Sequence, residues 1–550
     1  MHSNLPGIVV TGASGFIGRH FVDAVKGKFR LFCLARRSQK ESEIPSHENI
    51  RWTQVDIAHF DSLREPVRCI LEHGGADFVL HLAGYYDFTN EDNEEYQRTN
   101  VQGTRNILKL AKQIGTRRFL FASSLAACKF PARGKTIDES SPPVAQYPYA
   151  ISKRAGEELI KEHQEWFPSA IVRMAAIYSD WCEYPPLYVF INTWTASKWN
   201  SRVLGGRGHS AVPYLHVQDL IRFFLKVIEK TDSLPRLCTL NASPNGFTTH
   251  IELYKTATRY FFGRDVRPLL MPKFLVYPGM ASRQAIGRIT GDLPFERLWM
   301  ASYIDKILNV DASATHSKLH WTPTPRYDIL RRLLFLVENM KNHADAWHIR
   351  NEAALRRVAQ RPNFVIYNHL VENREAIIDE IFRHIWQASP SSRFPRYRKL
   401  GEKALHWYIA LIYQILCAVV RTRDRTLMRH YAETIARRRF VEGFDVGEVS
   451  DFLLTIGDVV SGILRSCPDL KGIEQRIYDF ITMTFQLAAD EIQDSYEFLS
   501  SEFAGAMDKA EEALIPANVG DLERIVFQIE DICQDMREDH LRDEIGKLRT

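Results

Sequence analysis

Several common signatures are missing from this chain. Its eight cysteines (Cys33, Cys69, Cys128, Cys182, Cys238, Cys417, Cys467 and Cys533) form no C-x-x-C pair. At 550 residues it is long enough not to need disulfide staples, so reduced thiols in a cytoplasmic protein are expected. The longest apolar run, Leu405 to Val420, has 16 residues and contains His406 and Gln414. That is short of the ~20 needed to cross a bilayer, so a buried helix and no membrane span are expected. The strand-like Gly7–Val10 begins almost at once, so no signal peptide is expected. A formal charge of +4 is small for this length and argues against bulk nucleic-acid binding. Repeats and low-complexity tracts are lacking, and no serine-hydrolase elbow surrounds Ser124. His81, His209 and His216 fall on different elements, so no metal site is expected.

What is present is a chain too long for one ordinary core, with a soluble protein's composition of 45% apolar and 25% charged residues. Its charge is uneven. Before Lys341 there are 43 basic and 33 acidic residues, and from Lys341 onward 28 and 34. Strand candidates are Gly7–Val10, Arg30–Leu34, Ile50–Val55, Phe78–Leu82, Arg118–Ala122 and Ala170–Met174. Helical patterns such as Thr104–Ile114 and Ala155–Glu165 alternate with them. That alternation predicts an α/β fold, a Rossmann-like doubly wound parallel sheet with a small substrate lobe. The irregular stretch Tyr178–Arg207 reads as substrate-side loops, and Trp321-Thr-Pro-Thr-Pro325 as the close of the unit. Strand signals then end. The expected organisation is a dinucleotide-binding domain over 1–340, a helical linker over 341–362 and a separate all-α domain over 363–550, with breaks at Arg361-Pro362 and Ser389–Pro395.

Gly12, Gly15 and Gly18 follow the first strand and open a helix, where glycines admit a pyrophosphate to free backbone N–H groups. As a lone pattern the spacing also fits an ordinary turn. The second strand ends in Leu34-Ala35-Arg36-Arg37 rather than an acidic residue. Two guanidiniums suit a ribose 2′-phosphate, so NADP(H) is expected, with NAD(H) left open. The alternative is a solvated basic loop.

Tyr149 and Lys153, four residues apart, lie on one helix face 25 residues after Ser124. A free tyrosine, with a pKa of about 10, is a poor acid–base group at neutral pH, and a nearby ammonium is expected to lower that value. A serine hydroxyl there would orient the reacting oxygen. Alone, Tyr-x-x-x-Lys also fits a helix surface pair.

With Thr11–Gly18, Val55-Asp56-Ile57, His81-Leu-Ala-Gly84, Asn100–Thr104, Phe121–Ser124, Val172–Tyr178 and Tyr214–Asp219, these motifs resemble the extended short-chain dehydrogenase/reductase family, of the NAD-dependent epimerase/dehydratase type, from about Gly7 to Leu334. The resemblance implies a cofactor held by Gly12, Ser14, Gly15, Phe16, Ile17 and Gly18. It implies Asp56 and Ile57 at the adenine, and Leu82, Ala83, Gly84 and Asn100 along the cofactor. Ser124 becomes the orienting hydroxyl, Tyr149 the acid–base group and Lys153 the ribose ligand and pKa modifier. Gly205-Gly-Arg-Gly-His209 resembles the segment closing over substrate.

The family's dehydratases carry Asp-Glu after the serine, where this chain has Leu125-Ala126; many epimerases carry Val-Tyr-Gly, where it has Ala127-Cys128-Lys129. NADP(H)-dependent reduction of a ketone or aldehyde, or its reverse, is the expected activity, by a homodimer acting on a small-molecule carbonyl or alcohol. The alternatives are a nucleotide-sugar epimerase and an NADP(H)-sensing regulator. The aromatics Tyr184, Tyr188, Phe190, Trp194 and Trp199 suggest an apolar or ring-shaped substrate, or simply pack the lobe. Residues 363–503, with His430–Val449, resemble the helical sensor domain of stressosome RsbR-type regulators; an ordinary dimerisation or lid domain is the alternative.

Overall fold

Strands rich in valine, isoleucine, leucine and phenylalanine, buried on both faces, must stack in the middle of a layered α/β unit. The computed structural model shows this, and describes residues 5–40, 42, 44–196, 199–290, 294–355, 362–387, 393–503 and 520–529. Seven strands form one sheet: β1 (Gly7–Thr11), β2 (Arg30–Ala35), β3 (Ile50–Gln54), β4 (Phe78–His81), β5 (Arg118–Ser124), β6 (Ser169–Met174) and β7 (Leu237–Ala242). Their order is β7-β6-β5-β4-β1-β2-β3, every pairing parallel. The order reverses between β1 and β4. In such sheets the crevice beyond the carboxyl ends at that point receives the ligand.

Six strands fall where the sequence predicts them, and β7 was not foreseen. Helices including Phe16–Val25, Thr104–Ile114, Pro148–Glu162 and Val217–Glu229 connect the strands. Ile8, Val10 and Leu80 enter one buried cluster, and Val9, Val79 and Phe119 another, as the alternation of side chains across a strand requires.

The substrate lobe is more ordered than expected. A helix, Pro185–Thr195, occupies the stretch read as loops. The short strand Leu269–Met271 pairs with Val203–Gly205 and leads into the helix Lys273–Thr290.

By its internal contacts the chain divides into Met1–Gln284 with Phe295–Val358, and Ala285–Pro294 with Ala359–Thr550. The first unit does not close at Pro325. Helices Ile329–Asn342 and Ala344–Leu355 continue it. Trp347 is fully buried there, and Asn351 accepts from Glu183 N (2.7 Å) and donates to Trp181 O (2.7 Å). Residues 344–355 are therefore part of the first unit rather than of a free linker. The breaks expected at Arg361 and Ser389–Ser392 lie outside the described residues.

The second unit is helical throughout its described residues, as the loss of strand signals implies. Helix Glu402–Thr422 is long and apolar enough to cross a membrane by length and composition, but most of its apolar stretch is buried among the other helices. The segment His430–Val449 has a packing role. Arg439 is fully buried, its guanidinium 4.4 Å from the Tyr408 ring centre and 4.6 Å from that of Phe444, and it pairs with Glu442. Gly443 (φ +72°) turns the chain, and Asp445 caps the helix Val446–Ser466 through Gly447 N and Glu448 N.

Candidate active site

The loop after β1 is built for close approach. Gly12 has φ +66°, and a Cβ there would stand 2.7 Å from Ala83 N, against the loop that leaves β4. A Cβ on Gly18 would stand 2.3 Å from Gly12 O. Gly15 sits at the N-cap of Phe16–Val25, and no side chain occupies that helix end. The cradle therefore offers backbone N–H groups and the positive end of a helix to a pyrophosphate.

A single cleft of about 1230 Å³ runs from this cradle into the substrate lobe. Gly12, Ser14, Gly15, Phe16, Ile17, Gly18, Arg36, Arg37, Asp56, Ile57, Leu82, Ala83, Gly84, Ser124 and Tyr149 all line it. Asn100 and Lys153 stand just behind. Asn100 Oδ1 accepts from Tyr85 N (2.6 Å), and its Nδ2 donates to Tyr85 O (3.0 Å) and Ser152 Oγ (2.9 Å). It thus clamps the loop after β4 to the helix carrying Tyr149. Arg36 pairs with Glu95 (3.3 Å) and Arg37 donates to Ser14 O. Asp56 accepts from Ala58 N (3.0 Å) and pairs with Arg98. Burial opposes its ionisation, but these partners outweigh burial and hold the carboxyl below its usual range.

β5 ends at Ser124, and Pro148 at the start of Pro148–Glu162 sets the helix that presents Tyr149 and Lys153. Tyr149 and Ser124 both face the cleft, and Ser124 Oγ accepts from Ala126 N (3.2 Å). Lys153 Nζ donates to Ala122 O (2.8 Å) and lies 5.7 Å from the Tyr149 ring centre. The geometry corrects one expectation. Burial dominates at Tyr149 and pushes its phenol up to about 12, with the neighbouring Ser124 hydroxyl pulling the other way. Burial also lowers the Lys153 ammonium to about 8, against the attraction of Glu157. Without a bound nicotinamide, Tyr149 is a protonated hydroxyl beside Ser124, poised to donate.

Tyr86 stacks on Tyr149, ring centres 4.1 Å apart at 23°, and Phe88 adjoins it at 4.0 Å. Sequence reading missed both. The signal was Tyr85-Tyr86 directly after Gly84, at the carboxyl edge of the sheet. Of the aromatics picked out in the lobe, Tyr184, Phe190 and Trp194 line the cleft. Tyr188 is buried behind it and hydrogen-bonds His348 Nδ1 (2.7 Å), and the Trp199 side chain lies outside the described residues. Leu125 and Ala126, which follow Ser124, also line the cleft.

The three histidines serve the fold. His81, held neutral by burial with its pKa lowered to about 3, bridges Thr11 Oγ1 and Thr104 Oγ1. His216 caps the helix Val217–Glu229, and His209 N donates to Asp305. Among the described residues no three His, Cys, Asp or Glu side chains gather as metal ligands.

Cradle, switch point and Ser–Tyr–Lys group define a dinucleotide-binding α/β unit with an acid–base site. Over residues 8–242 the chain matches the NAD dependent epimerase/dehydratase family. It is similar to dTDP-D-glucose 4,6-dehydratase of Homo sapiens, with 27% identity over 239 residues, 40% of this chain and 65% of the relative. It is also similar to a putative UDP-glucose 4-epimerase of Methanocaldococcus jannaschii, with 26% identity over 40-odd per cent of this chain (42%) and 76% of the relative. A third relative is the ceramide reductase of Caulobacter vibrioides, at 34% identity over 173 residues, 31% of this chain and 46% of the relative. The chain thus spans just under two thirds of the dehydratase's length.

A nicotinamide dinucleotide fits the cradle, because Gly12 and Gly18 let the loop pack directly on the backbone of Ala83 and of Gly12 and Ala13, a path that any Cβ there would push out of shape, while the helix N-terminus behind Gly15 stays free of a side-chain cap. Gly18→Ala is expected to weaken dinucleotide affinity by about tenfold or more, read by fluorescence titration with NADPH.

Proposed function

We propose that the N-terminal unit is an NAD(P)-dependent oxidoreductase that interconverts a ketone or aldehyde with its alcohol on an otherwise apolar molecule. The observation that carries this reading is the wall of the substrate half of the cleft. Tyr86, Phe88, Phe130, Trp194, Phe295 and Trp299 dominate it, with Leu204, Val276 and Met300 between them. Such a wall favours an apolar body over a ribose and a diphosphate. One relative is itself named for a reductase of a lipid.

A bound reduced nicotinamide supplies the hydride. The protein's own residues do the rest. Ser124 hydrogen-bonds the substrate oxygen, and Tyr149 Oη gives it a proton. The Lys153 ammonium stabilises the phenolate left behind. In the oxidative direction Tyr149 takes the proton back.

NADP(H) is the proposed cofactor, since Arg36 and Arg37 line the cleft where a ribose 2′-phosphate would come. Glu95 draws Arg36 aside, and a 2′-phosphate would compete for it. The purified protein is expected to prefer NADPH to NADH by about tenfold or more in kcat/KM, and Arg36→Ser/Arg37→Ser to erase that preference while leaving NADH turnover unchanged.

The second reading is a nucleotide-sugar epimerase. The relatives support it at least as well, and Arg283 and Lys306 in the cleft wall offer cations to a diphosphate. A panel of apolar ketones, aldehydes and nucleotide sugars separates the two. Net NADPH consumption with an apolar ketone supports the oxidoreductase. Interconversion of UDP-sugars without net NADPH consumption overturns it. For residues 363–503, a sensing role like that of RsbR-type domains is a proposal resting on the resemblance of His430–Val449.

A further inference from the structure

One apolar surface of the first unit is left uncovered beside the cleft. Leu269 and Leu270 are 58% and 47% exposed, and Phe274, Leu275 and Tyr277 are 74%, 50% and 55% exposed. From Pro272 to Gly279 only Val276 is buried. Single exposed apolar residues are ordinary, but five within nine positions are not.

The segment is part of the cleft's rim. Leu269–Met271 pairs with Val203–Gly205, whose residues line the cleft. Val276 and Met280, on the helix that follows, line it too. One stretch of chain thus turns an apolar face outward and an apolar face into the substrate site.

Its charge is one-sided. Between Lys255 and Arg283 there are six basic residues and one acid, Asp265. Arg259 pairs with that acid at 2.7 Å, and Lys273 and Arg283 pair with Asp305 (3.9 Å) and Glu296 (3.3 Å), which leaves Lys255, Arg264 and Arg267 as the excess. Aromatic and aliphatic side chains flanked by cations match the headgroup boundary of an anionic bilayer. A second protein copy would meet the same excess of positive charge on itself.

We propose that Leu269–Tyr277 docks on an anionic lipid bilayer, and that the carbonyl substrate is a membrane lipid whose chain enters the cleft past Val276 and Met280. The lipid substrate rests on the oxidoreductase reading; the docking does not. The full-length protein is tested by flotation with phosphatidylcholine vesicles, with and without phosphatidylglycerol, in the absence of cofactor and ketone. Binding to the phosphatidylglycerol vesicles is expected, weakening as salt rises. Phe274→Asp/Leu275→Asp and Arg264→Glu/Arg267→Glu should each reduce it about tenfold or more. These positions are exposed, so melting temperature and turnover of a short water-soluble ketone should stay unchanged. NADPH oxidation with a long-chain ketone presented in the vesicles should fall in both variants. Failure of the wild type to float, or flotation of the variants like wild type, overturns the docking. So does a shift of the Phe274/Leu275 variant from a larger to a smaller species in sedimentation without any vesicle binding, which assigns the surface to a second copy. If no ketone of any kind is reduced while flotation holds, the oxidoreductase reading fails and the docking stands.

Discussion

Tyr149→Phe is expected to lower turnover by about 10²–10⁴-fold while leaving dinucleotide affinity essentially unchanged. The substitution removes one hydroxyl, and the ring keeps its stacking on Tyr86. The glycine cradle lies at the end of β1, away from the lost oxygen. A drop in kcat with unchanged NADPH titration therefore identifies Tyr149 as the proton donor; an unchanged kcat removes it from the reaction. The pH profile of the wild type carries a second signature. The Lys153 ammonium, lowered to about 8 by burial, supports the phenolate only while it is charged. Below that value the reductive kcat/KM should be flat. As pH rises through about 8 the charge is lost and the rate should fall.

The residues that make this site were legible because they act through local chain geometry. A glycine with φ +66° after the first strand, a serine at the end of β5 and a tyrosine–lysine pair one turn apart each have a sequence signature that tertiary context does not alter. The two arginines after β2 were legible as cations, but Arg36 was not legible as Glu95's partner, since Glu95 joins it from 59 positions away. β7 escaped notice because Thr239 and Asn241 interrupt its apolar residues, and its pairing with β6 makes it a strand. The lobe escaped for a similar reason. Strands as short as Ala211–Val212 and Thr248–Thr249 hold together by pairing with each other, and no periodicity can build up over two residues. Tyr149's raised pKa was illegible because it depends on burial by Tyr86 and the lobe, whereas the sequence showed only the lysine.

Arg173, within a motif noted only for its resemblance, carries the second large effect. It lies on β6 with its side chain 3% exposed, against Glu157 at 1%. The two form a fork, Nε to Oε1 at 2.9 Å and Nη2 to Oε2 at 2.8 Å, and Ser123 Oγ donates to Oε1 at 2.7 Å. Glu157 sits one turn beyond Lys153 on the helix bearing Tyr149, so the pair pins the acid–base helix to the sheet. Arg173→Met leaves the carboxylate buried without its partner, which should cost about 3–5 kcal/mol and lower the first unit's melting temperature by several degrees. Adding Glu157→Leu removes the stranded charge and should restore much of that loss, since the desolvation cost of a lone ion exceeds that of none. Glu157→Gln separates packing from electrostatics. The Glu157 charge favours the Lys153 ammonium, so its loss should lower the lysine further and move the alkaline fall in kcat/KM to below about 8. Calorimetry of the four proteins measures the first effect. A reductive pH profile of Glu157→Gln measures the second, and an unmoved alkaline limb would show that Lys153 does not govern it.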